Sequence, residues 1–305
     1  MASTPWKTVL YRQLLLTWGQ KRDLLRNRPG SFPFVSGDTF REICEFEFLG
    51  QANAVGLEKG PRSVFSSVAN ARSLAVYLKQ TGLKLPNSFL IIHNGDALPD
   101  TGVFESLCKA FNSVFSVNVT PELETIGVIP VPIGLENAAL DYAGRLKDYP
   151  KPAERRASCD WSKREIDVLA SFRVETNPSV RLPVRDLAEK RGVCWVEPSG
   201  DQRRYLQAVA KSRWILSPRG NGADCHRTWE AIYHGAIPVV EANTLGHSLF
   251  ENLPVFVVES FTKFLAMNEA AKTYAGQQLL NRSTAAAFMP YWCWRLYDSL
   301  QVASD

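Results

Sequence analysis

Apolar and polar positions alternate in short blocks along most of the chain, and the blocks read as strands followed by helices. In the first half, Phe32 to Val35 reads as a short strand running into Ser36-Gly37-Asp38-Thr39-Phe40-Arg41, with a helix expected through Phe48. Ser63 to Phe65 is the next strand, Ala69 to Lys79 a helix stopped near Gly82, and Phe89 to His93 a strand leading into Asn94-Gly95-Asp96. Val103 to Phe111 is helical, and Val114 to Val117 and Ile126 to Pro130 are strands. In the second half, Glu165 to Phe172 and Val193 to Val196 read as strands, and Pro183 to Arg191 and Asp201 to Ala210 as helices. After Ile215-Leu216 comes a glycine-bearing loop, then a helix from Asp224, its N-cap, to Gly235, its stop, and the strand Ile237 to Val240. Val255 to Val258, Phe261 to Lys272 and the aromatic Ala285 to Leu300 complete the series as a strand and two helices.

This alternation predicts an α/β chain of mainly parallel, doubly wound sheets. Ligands of such sheets bind outside the carboxyl ends of strands, where Asp38, Asn94 and Asp96 fall. The polar, proline-bearing stretch Asp141 to Lys163 is the expected interdomain connection and divides residues 1–150 from residues 151–284. A first helix is expected over Trp6 to Arg28, where Leu14, Leu15, Trp18, Leu24 and Leu25 mix with Lys21, Arg22, Arg26 and Arg28. That mixture suits packing on its own domain, and it also suits peripheral contact with an anionic membrane surface.

The stretch ILSPRGNGADCHRTWEAIYHGAIPVV, Ile215 to Val240, concentrates the candidate chemistry. Ser217, Arg219, Gly220, Asn221 and Gly222 form a loop in which glycine allows close backbone approach and a guanidinium meets phosphate oxygens. His226, Arg227 and Glu230 follow on the helix; Arg227 and Glu230, three residues apart, share a face. The cations suit a diphosphate, His226 a phosphate or sugar hydroxyl, and the carboxylate suits a pair of ribose hydroxyls. The bland alternative is a surface ion pair between Arg227 and Glu230. Ser171, Arg173, Asn177 and Arg181, after the strand ending near Phe172, are further donor-side candidates.

The pattern SPRGNG, DCHRTWEA, GAIPVV resembles the donor-binding half of exostosin-like glycosyltransferases; Ala170 to Arg173 with Thr176-Asn177-Pro178 and Arg181, and Pro132 to Asn137, look like the same broad group. The resemblance implies a GT-B fold, two Rossmann-like domains facing a cleft, and sugar transfer with inversion. It also implies that residues 285–305 hold the helix crossing back to the N-terminal domain. In many enzymes of that fold the base follows the first strand of the N-terminal domain, the station of Asp38, with Asp96 as second choice. Each has a plainer role open to it, Asp38 as a helix cap and Asp96 in shaping a turn.

Composition narrows the classes. The 305 residues carry a net charge of +4, too little to argue for nucleic acid, and 45% hydrophobic content suits two medium cores. Six scattered cysteines show no metal-ligand spacing, so reduced thiols are expected. There is no Asp-x-Asp in the chain, which makes arginines rather than a metal the expected charge stabilisers, and no cofactor beyond the nucleotide-sugar substrate is expected. Nothing at the N-terminus reads as a signal peptide and no run spans a membrane, which points to the cytoplasm, with membrane association through the first helix; a Golgi-lumenal enzyme trimmed of its anchor would read the same. The expected function is an inverting, metal-independent transferase taking a sugar from a nucleotide donor to a glycan or lipid-linked glycan acceptor. The alternative is a catalytically silent nucleotide-sugar-binding partner in glycan assembly.

Overall fold

The computed structural model describes residues 31–98, 100–140, 145–150, 160–198, 201–242 and 247–301. The helix expected over Trp6 to Arg28 lies outside the described residues, as does much of the expected 141–163 connection. The chain is α/β and divides into two units, one running up to Val131 and resuming at Phe288, the other Pro132–Ala287. The change of unit at Val131/Pro132 comes ahead of the polar stretch expected to carry it. Among the described residues no helix is long and apolar enough to cross a membrane.

In the first unit, strands β1 (Phe46–Phe48), β2 (Ser63–Ser67), β3 (Leu85–His93), β4 (Phe111–Ser116) and β5 (Val128–Pro130) form one parallel sheet in sequence order. The crossovers α2 (Val68–Thr81), α3 (Thr101–Cys108) and α4 (Pro121–Thr125) pack along it, while α1 (Gly37–Glu42) and α10 (Met289–Gln301) also pack on β3. Leu90, Ile91 and Ile92 are consequently buried in succession rather than alternately, as a strand covered on both faces requires. Ser67 and Asp100 accept hydrogen bonds from Asn70 and Val103 backbone N–H groups and so start α2 and α3.

Two expectations change here. Phe32 to Val35 is not a strand; Phe34 forms an isolated antiparallel bridge to Phe288. The first helix stops at Glu42, and Phe46–Phe48 is the edge strand β1. Phe48 is fully buried there, so pairing with β2 and burial outweigh a local preference for helix.

In the second unit, β6 (Ile166–Ala170), β7 (Cys194–Trp195), β8 (Ser212–Leu216), β9 (Ile237–Glu241) and β10 (Phe256–Val258) are parallel in the order β10-β9-β8-β6-β7. Strand order therefore reverses between β6 and β8. Helices α5 (Pro178–Lys190), α6 (Gln202–Ala210), α7 (His226–Tyr233), α8 (Phe261–Ala266) and α9 (Glu269–Leu280) complete the unit. Its core centres on Trp214, whose ring lies 5.4 Å from Trp161, 5.5 Å from Phe256 and 5.3 Å from Phe264. Helix α5 starts at Pro178, before the expected Pro183, because proline fits the first turn, where no N–H is needed. The helix expected over Phe261 to Lys272 is two helices: Met267 is extended, and the Asn268 side chain accepts from Ala271 N at 2.8 Å to begin α9.

Candidate functional site

The reversal of strand order places the loops after β6 and β8 side by side at the carboxyl edge, going opposite ways, which is where open α/β sheets form a binding crevice. Ser171 to Arg173 follow β6, and Ser217 to Asp224 follow β8. Ser217 N donates to Val239 O at 2.9 Å, and its hydroxyl pairs with that of Thr228 at 2.9 Å, so one residue ties the loop to both β9 and α7.

Arg181 is buried, and its donors are spent on the protein. Nη1 donates to Arg173 O at 2.8 Å, Nε to Arg219 O at 3.0 Å and Nη2 to Pro218 O at 3.3 Å. Asn177 Nδ2 adds a bond to Gly220 O at 2.8 Å. Arg181 and Asn177 thus shape both loops and are not the open phosphate donors the sequence suggests. Gly220 is needed for the same reason: a Cβ there would lie 2.9 Å from Arg181 Nη2 and 3.3 Å from Thr176 Cγ2. Arg173 and Asn221 are exposed, while Gly220 and Gly222 are buried.

Arg227 and Arg219 are different. Arg227 Nε donates to Ser171 O and its guanidinium lies 5.6 Å from the Phe172 ring centroid, yet Nη1 is buried with no hydrogen-bond partner among the described residues. Nε of Arg219 is likewise buried and unpartnered. The Arg181 guanidinium is 5.8 Å from the same Phe172 ring, and its proximity to Arg227, after burial, lowers its pKa. Two cations therefore share one aromatic wall with no carboxylate paired to either among the described residues, and a third, Arg219, lies on the loop after β8. Phe172, whose ring lies beside both guanidiniums, is not among the residues the sequence marks for the site; only its place after β6 points to it.

Glu230 is 6% exposed, which rules out the surface ion pair with Arg227; the two make no ion pair. Its Oε1 accepts from Gln202 Nε2 at 2.6 Å and from the Tyr149 hydroxyl at 3.4 Å, and burial raises its pKa despite the nearby His226 and Arg227 charges. Neither Gln202 nor Tyr149 was among the expected site residues.

Asp224 is not the N-cap of α7. That position is Cys225, which makes no side-chain cap. The buried Asp224 carboxylate instead accepts from Ile133 N at 2.8 Å, Cys225 N at 2.8 Å and Trp229 Nε1 at 2.8 and 2.9 Å; burial pushes it up to about 6 against those bonds. His226 is also spent on the protein rather than open to a ligand: Nδ1 donates to Gly134 O at 2.7 Å, and Nε2 lies 3.3 Å from Glu136 Oε1.

The two carboxylates of the first unit have unlike surroundings. Ser36, not Asp38, caps α1; Asp38 is buried in the first turn and forms an ion pair with Arg41, which also lies 3.6 Å from Glu47. Asp96 is exposed just beyond β3, and its backbone carbonyl accepts from Asn118 Nδ2 at 3.5 Å. The five described cysteines are free. Among the described residues no three His, Cys, Asp or Glu side chains gather as metal ligands.

Residues 187–256, which contain this loop and α7, match the family model described as the RXYLT1 C-terminal domain. No curated protein matches the chain. Among solved structures, a Listeria monocytogenes protein described as a UDP-N-acetylglucosamine 2-epimerase is 12% identical with a TM-score of 0.42, over 80% of this chain and 74% of that one. The catalytic domain of starch synthase IV from Arabidopsis thaliana, bound to ADP and acarbose, is 11% identical with a TM-score of 0.38, over 82% and 74%. An α,α-trehalose 6-phosphate synthase from Burkholderia multivorans is 12% identical with a TM-score of 0.41, over 82% and 73%. At these scores the likeness carries no conclusion about the reaction.

Proposed function

We propose that the protein is a glycosyltransferase, moving a sugar from a nucleotide-sugar donor to a glycan or lipid-linked glycan with inversion and without a metal. The observation that carries this reading is the arginine cluster: Arg181 and Arg227 share the Phe172 ring, with Arg219 at the adjoining loop, and none pairs with a carboxylate among the described residues. Arg219 and Arg227 are half-buried, and each holds a buried nitrogen with no partner among the described residues; at the crevice of a switch point such donors suit an anion from outside. A diphosphate fits. Arg227 Nη1 and Arg219 then meet its oxygens, Arg181 and Asn177 hold the loops, and Glu230 accepts from the ribose hydroxyls. The partial match to the RXYLT1 C-terminal domain model over this segment supports the same reading.

In the reaction the acceptor hydroxyl oxygen bonds to the anomeric carbon, the bond from that carbon to the β-phosphate oxygen breaks, and the nucleoside diphosphate leaves into the arginine cluster. The acceptor proton passes to a carboxylate. Asp96, exposed and without a side-chain partner among the described residues, is better prepared for this than Asp38, which is held by Arg41. The missing Asp-x-Asp motif supports arginine rather than metal stabilisation of the leaving group.

The test is to incubate the protein, with chelator present, with a panel of nucleotide sugars and oligosaccharide or lipid-linked acceptors. Acceptor-dependent release of one nucleoside diphosphate is expected. Binding of donors without release under any acceptor would leave a silent binding partner instead, and activity restored only by Mn²⁺ or Mg²⁺ would overturn the metal-free mechanism.

A further inference from the structure

The segment Pro132 to Asn137 lies far from α7 in sequence, yet three of its groups are fastened to the start of that helix. Ile133 N donates to Asp224 Oδ2 at 2.8 Å, Gly134 O accepts from His226 Nδ1 at 2.7 Å, and Glu136 Oε1 lies 3.3 Å from His226 Nε2. Gly134 has φ of 68°, a left-handed conformation in which glycine is unstrained. A carbonyl and a carboxylate can only accept, so satisfying both needs an N–H on each ring nitrogen. The imidazole must then carry its second proton and a positive charge.

We propose, on the donor-site reading above, that Glu136 is a positioning residue: it keeps His226 as an imidazolium that clamps the 132–137 segment to α7 and thereby sets Arg227 and Glu230 for the nucleotide. The residues next to His226 along the chain leave little slack, because Arg227 is the following residue and Glu230 sits about one helical turn further on. A charged clamp is also stronger than a neutral one in a site partly closed to water.

The charged groups acting on His226 are Glu136 from the clamped segment, Asp224 from the preceding loop, and Glu230 on its own helix, where Arg227 is the adjoining residue. Burial by itself would push His226 down, but Glu136, the Gly134 carbonyl and Glu230 outweigh it and bring it up to about 9. Burial of Glu136 is likewise outweighed by His226, which holds that carboxyl below its usual range. Because the folded value of His226 is raised, the clamp's contribution is full below the ordinary histidine value of about 6.5 and is lost as pH climbs through about 9.

The experiment pairs two readouts on the intact protein. The first follows histidine ¹³C–¹H NMR signals from pH 5 to 10, with His226 identified by its absence in His226→Gln. The second measures UDP, GDP and ADP binding by calorimetry at pH 6 and pH 8, in wild type and Glu136→Gln. In wild type, His226 is expected to stay protonated through pH 8, with nucleotide affinity nearly equal at the two pH values. In Glu136→Gln its midpoint is expected to fall by about two pH units, to near 7, within the range of about 1–3 for one close opposite charge. Nucleotide affinity is then near wild type at pH 6 and about tenfold weaker at pH 8, a charge-dependent split that a purely structural role would not give. An ordinary midpoint in wild type, or an equal loss at both pH values, overturns the positioning role while leaving the donor site standing. If wild type binds none of the three nucleotides, the donor-site reading itself fails and takes this role with it.

Discussion

The Arg181 guanidinium stands where a side chain on Gly220 would go: a Cβ at residue 220 would come 2.9 Å from its Nη2. The arginine in turn donates to the carbonyls of Arg173, Pro218 and Arg219, so one buried cation and one missing side chain together shape the two loops of the crevice.

Arg181→Ala should therefore act first on folding. Leaving buried carbonyls without their donors costs about 2–4 kcal/mol, on the scale of one to two unsatisfied groups, and chemical denaturation should read it directly. Gly220→Ala should give a smaller loss of stability but a clear loss of nucleotide affinity. Arg181→Ala with wild-type stability would mean that the three carbonyls are served by water instead.

Asp224→Asn should lower the melting temperature by several degrees. The carboxylate serves Ile133 N, Cys225 N and Trp229 Nε1, whereas an amide offers one oxygen and turns an NH₂ toward the remaining donors. About 1–3 kcal/mol is the usual cost of one buried N–H left without an acceptor. An unchanged melting temperature would contradict the role given to this residue.

These residues show what sequence could and could not tell. The parallel α/β class was legible from alternating blocks, and the site region from Ser217 to Glu230, because both are local patterns. Edge strand β1 was not, since Phe46 to Phe48 becomes a strand only by pairing with β2. Within the site, residue types were legible but their duties were not. Arg181 and Arg227 look alike in sequence, yet one is consumed by carbonyls and the other keeps a buried nitrogen with no partner among the described residues. The partners of Asp224 and His226 sit at Ile133, Gly134 and Glu136, a separation along the chain that no periodicity spans.

Glu230→Gln should weaken ribonucleotides more than their 2′-deoxy analogues, because the amide keeps one acceptor oxygen where the carboxylate has two. The hydrogen bond from Gln202 to Oε1 makes Gln202→Ala the matching control for displacement of the carboxylate. Equal losses for both analogues would assign Glu230 to holding Gln202 and Tyr149 alone.

Asp96→Asn should lower turnover by about 10²–10⁴ with donor affinity nearly intact, the range for a positioned general base. Asp38→Asn should act more on stability than on rate, since it breaks the ion pair with Arg41. A large rate loss confined to the Asp38 variant would reverse the assignment.

The central claim is that Arg219 and Arg227, on loops held by Arg181, receive a diphosphate, and calorimetric titration of UDP, GDP and ADP into wild type and Arg227→Ala tests it most directly. At least one nucleotide should bind wild type, and the variant should remain folded and bind it more weakly by about 1.5–3 kcal/mol, roughly 10- to 150-fold, the worth of a charged hydrogen bond. Unchanged affinity in the folded variant, or no binding by wild type to any of the three, would contradict the account.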